Sequence, residues 1–179
     1  MQNNLILPDI AVLQSINPPH CENIASLRKS IEVRKTRPKL ETPFKSYIYC
    51  TNNRAKEGGG VTKANGKVIG EYVCDEIVEF TADEYSDRSY YISDDELAET
   101  CLSQEELWEY GKGKTLYGYH ISNLVIYSKP KELSEFKKVN RDCFYSDLGL
   151  AIPNCDKCKE PTCFIQRPPQ SWCYVQRIN

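Results

Sequence analysis

Several things this sequence lacks narrow it before anything present is read. It has no excess of basic residues: 23 Lys and Arg stand against 25 Asp and Glu, for a net charge of −2 and a pI of about 5.8. A general grip on long nucleic acid needs a strongly basic surface. Any such contact must therefore come from a local cluster, which favours a small or structured ligand over a long duplex. No run approaches the ~20 consecutive apolar residues of a membrane-spanning helix. The opening MQNNLILPDIAVLQS has no basic stretch followed by an apolar one, so no secretory signal is expected and the chain is assigned to the cytoplasm. Nine cysteines, an odd number with no signal before them, argue for reduced thiols, some on metal, rather than a disulfide framework. Gly58-Gly59-Gly60 is not followed by Gly-Lys-Thr/Ser at a strand-to-helix junction, so it reads as a hairpin loop and not a P-loop. No internal repeat is visible.

What is present suits one domain. Of 179 residues, 40% are apolar and 27% charged, enough for a core and too apolar for general disorder. Twelve Tyr and five Phe lean the composition toward strands. Strands are predicted over Ala11–Ile16, Ser30–Thr36, Phe44–Thr51, Lys67–Phe80, Leu116–Ile121, Leu124–Tyr127 and Ser171–Arg177. In the second of these, Ile31 and Val33 are expected inward and Glu32 and Arg34 outward. Gly70 inside the long strand suggests a bulge or barrel bend. A short helix is predicted over His20–Leu27 after the Pro18-Pro19 break. Two more begin at the capping boxes Ser93-x-x-Glu96 and Ser103-x-x-Glu106, and a helical stretch is expected from Pro130. The fold class is α+β, mostly β: a small β-barrel with flanking helices. Residues 1–179 form a single domain, with an acidic helical insertion at 81–113 and a Cys-rich loop at 141–166.

The stretch SINPPHCENIASLRKSIEVRKTRP resembles the opening of ASCH domains, where a strand, a helix ending near a Lys-containing turn and a strand reading Glu-x-Arg follow one another. Lys29, Ser30, Glu32 and Arg34 occupy the matching positions. PFKSYIYCT and KVIGEYVCDEI match the family's next strands in order, and LYGYHISNLVIY and RPPQSWCYV are similar to small ASCH proteins of bacteria and their phages. The resemblance implies a PUA-like barrel with a cleft between the first helix and the barrel. It also implies ligands that are RNA or modified nucleosides, with activities that include hydrolysis of acetylated cytidine, RNA cleavage and plain RNA binding. One departure bears on chemistry. In the acetylcytidine amidohydrolase pattern a Thr nucleophile lies three residues after the motif Lys, where this chain has Glu32. A carboxylate cannot repeat the hydroxyl attack. Arg28 also replaces the small residue before that Lys.

Lys29, Glu32 and Arg34 are thus the leading site candidates. A guanidinium fork suits a phosphate or base edge, lysine supplies a point charge, and the carboxylate can accept from a base amino group or act as a base. The plainer alternative is an exposed Glu–Arg pair on a strand face. Six of the twelve residues from Arg28 to Lys39 are basic, the densest such cluster in the chain. Further ligand-binding candidates are Ser30, Arg28, His20 beside the expected cleft, Tyr47 and Tyr49 as stacking platforms, and His120. If the protein is an enzyme, Lys29, Glu32 and Glu71 form the catalytic set, Glu71 by the family's habit of an acidic residue facing the pocket. Cys155-x-x-Cys158 with Cys163 fits three corners of a structural zinc site, Cys143 or Cys173 supplying the fourth, against the alternative of free thiols. No organic cofactor is expected. The functional expectation is a binding module for RNA or a nucleotide-derived small molecule. The alternatives are a hydrolase on a modified nucleoside or RNA, a phage-type sponge for a nucleotide signal, and an acidic protein-interaction domain.

Overall fold

The computed structural model describes residues 7–52, 65–85, 88–139 and 163–178, and the backbone of 144–145 and 150–151. Its elements run β1 (Ile10–Ile16), α1 (Pro18–Ala25), β2 (Ile31–Arg34), β3 (Phe44–Cys50), β4 (Lys67–Phe80), α2 (Asp94–Thr100), α3 (Gln104–Gly111), β5 (Leu116–Lys131), a 3₁₀ turn (Leu133–Glu135), β6 (Phe144–Tyr145), β7 (Leu150–Ala151) and β8 (Trp172–Gln176). Six strands share one sheet in the order β2-β5-β4-β3-β1-β8, and β6 pairs with β7 separately. β1 and β3 are parallel, while the other neighbours in the large sheet are antiparallel.

Strand parity sorts the core. Successive side chains alternate faces, so Val12, Phe44, Ile48, Tyr72 and Tyr119 cluster on one side. Leu13, Tyr47, Tyr49, Phe136 and Val175 cluster on the other. A third cluster, Ile31, Val33, Phe80, Tyr90, Leu107 and Leu116, joins β2 and β5 to the segment carrying α2 and α3. Both of those helices begin at the anticipated capping boxes, with Ser93 and Glu96, and Ser103 and Glu106, reciprocally bonded.

The sheet curls until its outermost strands approach each other. Arg34 at the end of β2 donates from Nη2 to the Ser15 carbonyl of β1 at 2.9 Å. Trp172 Nε1 of β8 donates to Thr36 Oγ1 at 3.0 Å, and the Lys39 amide donates to the Tyr174 hydroxyl at 2.7 Å. No β2–β8 ladder forms among the described residues. The ring is therefore closed by side chains reaching across a seam. Gly118 of β5 pairs with Val33 of β2 and Val78 of β4, and a Cβ there would come within 2.7 Å of Phe80 and 2.8 Å of Ile31.

Three expectations change. The two short strands over 116–127 are one strand, β5, running on through Pro130; Asn123 adopts φ 47° and register shifts against β4 let the strand turn without ending. The helix expected from Pro130 reduces to the single 3₁₀ turn after β5. Most consequentially, the two faces of β2 have other partners than those expected. All four of its residues are buried. Ile31 and Val33 pack outward against the helical insertion, while Glu32 and Arg34 turn toward the ring and away from solvent.

Candidate functional site

The turn after α1 builds the site. The Arg28 and Lys29 amides both donate to the Asn23 carbonyl, and Leu27 takes a left-handed φ of 60°. This tight exit delivers Lys29 just ahead of β2. Its side chain is 1% exposed, and Nζ donates to the Thr100 carbonyl at the end of α2, 2.5 Å away. Glu32 lies 3.5 Å from Lys29 Nζ and 3.1 Å from Arg34 Nη2, and the side chains of both Glu32 and Arg34 are 7% exposed. Two cations thus share one buried carboxylate.

These three side chains form one wall of a recess of about 400 Å³, bordered elsewhere by the end of β1, by His20 of α1 and by Glu106 and Tyr110 of α3. Burial alone would raise the Glu32 pKa, but Lys29 and Arg34 outweigh it and hold the carboxyl below its ordinary 4.5. Burial pushes His20 below its ordinary 6.5, with Lys29 and Arg34 acting in the same sense and Glu32 in the opposite one. His20 is therefore a neutral imidazole at pH 7, and its Nδ1 is buried without a hydrogen-bond partner. Behind the triad, Tyr72 donates to Gln14 Oε1 at 2.9 Å, and Gln14 Nε2 is left unpaired.

The other sequence candidates scatter. Ser30 is a backbone connector, its amide donating to Glu99 and its carbonyl accepting from Ile121. Arg28 is exposed, bonded to Ser26, and does not border the recess. Tyr47 and Tyr49 are buried in the cluster on the opposite face. There Tyr47 packs edge-on against Phe136, accepts from the Ile178 amide at 2.8 Å and has its pKa pushed up to about 12, chiefly by burial. Neither ring is free to stack on a ligand in the recess. His120 forms a surface pair with Asp75 at 2.7 Å, with both side chains more than a third exposed.

Glu71 lies in a different place from its proposed catalytic partners. It precedes Tyr72 on β4, and parity sends the two side chains to opposite faces. Lys45 Nζ is 2.5 Å from one of its carboxylate oxygens, and the Tyr127 hydroxyl donates to the other. These groups border a second recess of about 330 Å³ with Lys131, Arg177 and Ile178. The set Lys29, Glu32 and Glu71 is therefore not assembled in one place. Of the proposed zinc ligands, Cys143, Cys155 and Cys158 lie outside the described residues. The Cys163 carbonyl accepts from the Lys138 amide at 2.7 Å. Cys173, on β8, has its thiol pushed up to about 11, mainly by burial.

Gln14, Glu106 and Tyr110 were not among the candidates. Gln14 carried a signal, as a lone amide within the apolar strand AVLQSI, where Ala11, Val12, Leu13 and Ile16 are all core. Glu106 and Tyr110 carried none beyond their places in the insertion.

The architecture is the PUA-like α+β fold of ASCH domains. Three crystal structures of an ASCH protein from Zymomonas mobilis match it. One, of the ASCH protein itself, matches with a TM-score of 0.57 at 17% identity, covering 93% of this chain and 88% of that one. A Tyr-to-Phe variant gives the same score and identity over 93% and 91%, and a Ser-to-Ala variant gives 0.52 at 18% over 96% and 92%. No protein-family model and no curated protein matches the sequence. No helix among the described residues is long and apolar enough to cross a membrane.

Proposed function

We propose that this chain is an ASCH-family binding module. Its first recess would take the nucleoside portion of an RNA residue or of a nucleotide-derived small molecule. The observation that carries this reading is the buried triad of Lys29, Glu32 and Arg34 along one wall of that recess. Burying three charges is costly, and replacing such groups with apolar side chains is often neutral or stabilising. A triad kept beside a hollow is better explained by a ligand than by stability.

The recess also constrains the ligand. About 400 Å³ is near the low end for small-molecule sites, ~300–1,000 Å³, and accommodates one nucleoside-sized group. Lys29 and Arg34 are matched there by Glu32 and Glu106. That balance favours an uncharged, hydrogen-bonding base or nucleoside, with any phosphate left outside. Tyr110, a third exposed with Lys35 Nζ 4.5 Å over its ring, offers an aromatic edge at the margin.

Calorimetric titration with cytidine, acetylcytidine and short single-stranded RNA tests the proposal. Arg34→Lys keeps the charge and removes the planar fork. It is expected to weaken nucleoside binding by about tenfold or more while the far-UV spectrum is unchanged. Equal binding by the two proteins, or no binding of any of these ligands by the wild type, would refute the assignment. Following the same incubations for product separates binding from turnover.

A further inference from the structure

We infer that the second recess, around Lys45, Tyr127, Lys131 and Arg177, is a binding site for a phosphate group. It is independent of the first recess and lies across the sheet from it. Three cations and one carboxylate border this hollow of about 330 Å³ in a chain whose net charge is −2.

The carboxylate's charge is already committed. Glu71 receives Lys45 on one oxygen, at 2.5 Å, and the Tyr127 hydroxyl on the other. The other two cations are poorly matched. Lys131 Nζ stands 5.5 Å above the Tyr127 ring, and the carboxylate next to it in the chain, Glu132, pairs with Lys67 at 2.6 Å. Among the described residues the ion-pair partner of Arg177 is Asp9, with Nη2 to Oδ1 at a long 3.6 Å, and Nε of Arg177 is buried without a hydrogen-bond partner. A guanidinium and an ammonium border one hollow whose carboxylate, Glu71, is already bonded to Lys45 and Tyr127, and together they form a site for a tetrahedral oxyanion. The guanidinium provides the fork and the lysine the point charge. Tyr47 reinforces the geometry from beneath: its hydroxyl accepts from the Ile178 amide at 2.8 Å and so holds the strand end that carries Arg177.

The recess opens at the surface, so the same chemistry serves a free phosphate or the backbone phosphate of an RNA strand. Nuclear magnetic resonance of the arginine Nε–H signals separates these sources. Inorganic phosphate, added at constant ionic strength, is expected to shift the Arg177 Nε–H signal and slow its exchange with water. If single-stranded oligoribonucleotide shifts it and inorganic phosphate does so only weakly, the backbone is the physiological source. Lys131→Gln, which keeps most of the stem of a partly exposed side chain, is expected to weaken phosphate binding by about tenfold without altering the fold. If neither probe moves the Arg177 signal, or if the probe that moves it in the wild type moves it at the same concentration in Lys131→Gln, the assignment is overturned. Nucleoside titration of the first recess is read separately and does not enter this result.

Discussion

The two recesses hold similar chemical groups and differ in how those groups are spent. Around Glu32, two cations and a carboxylate are nearly sealed from water and answer one another. Around Glu71, the pair with Lys45 is about a fifth exposed, and two further cations border the hollow, Arg177 with Asp9 at 3.6 Å and Lys131 over the Tyr127 ring. The first arrangement has little net charge to offer a ligand, and its value is a rigid, dry, polar wall. The second has more positive charge than negative on its border and is more open to water. Depth decides this. In the buried site every charge must be matched, because water cannot do it, whereas the shallower site leaves its unmatched cations to solvent.

Removing the central carboxylate is the sharpest way to break the comparison. Glu32→Ala leaves Lys29 and Arg34 buried without their anion and is expected to cost about 3–5 kcal/mol in chemical denaturation. Glu71→Gln, at the wetter site, is expected to cost about 1 kcal/mol or less. Similar losses at both positions would mean that burial does not separate them. The next effect concerns the wall behind the triad. Gly118→Ala forces a Cβ into Phe80 and Ile31 and is expected to destabilise by about 1–3 kcal/mol. It should also weaken nucleoside binding, because β2 cannot shift without moving Glu32.

Acid probes the first recess without mutation. His20 and Glu32 both have folded pKa values below their unfolded ones, 6.5 and 4.5. The unfolded chain therefore binds protons first as the pH falls. The contribution of His20 is complete above 6.5 and is lost from there down to its lowered folded value. That of Glu32 is complete above 4.5 and is lost from there down to its own. Denaturation midpoints should thus begin to fall below about pH 6.5, and His20→Gln should flatten the portion above pH 5. A flat wild-type curve between pH 7 and 5 would contradict a half-buried, neutral His20. The smallest expected effect is at the caps. Ser103→Ala and Ser93→Ala should each cost about 1 kcal/mol. Ser93→Ala should in addition loosen the Thr100 carbonyl that holds Lys29, read as faster amide exchange over α2.

How far the sequence reached can be followed along single strands. β1, β3 and β4 were legible from apolar runs bounded by Asn, Pro and Gly, and the insertion helices from their Ser-x-x-Glu starts. β2 was half legible. Alternation says that Glu32 and Arg34 share a face, but not which face points into the ring, because Ile31 and Val33 also found an apolar partner in the inserted helices. β5 was split at Ser122-Asn123 because polar residues there look like a turn, although the backbone carries on through a left-handed asparagine. Within the site, Lys29, Glu32 and Arg34 were reached through the ASCH resemblance, since their spacing alone equally describes a solvated strand. Glu71 was misgrouped because strand parity relative to Tyr72 depends on which side the ring closes, a property of the whole sheet.

That closure has one more consequence. Where a continuous ladder is zipped along its length, the junction between the β2 end of the sheet and its β1–β8 end hangs on separate tethers: the Trp172 indole of β8 on Thr36, the Tyr174 hydroxyl of β8 on Lys39, and the Arg34 guanidinium on Ser15 of β1. Such a join parts stitch by stitch. One of those stitches is itself a member of the buried triad, so a guest that draws Arg34 toward itself also slackens the cylinder, and the aperture and its occupant answer to the same side chain.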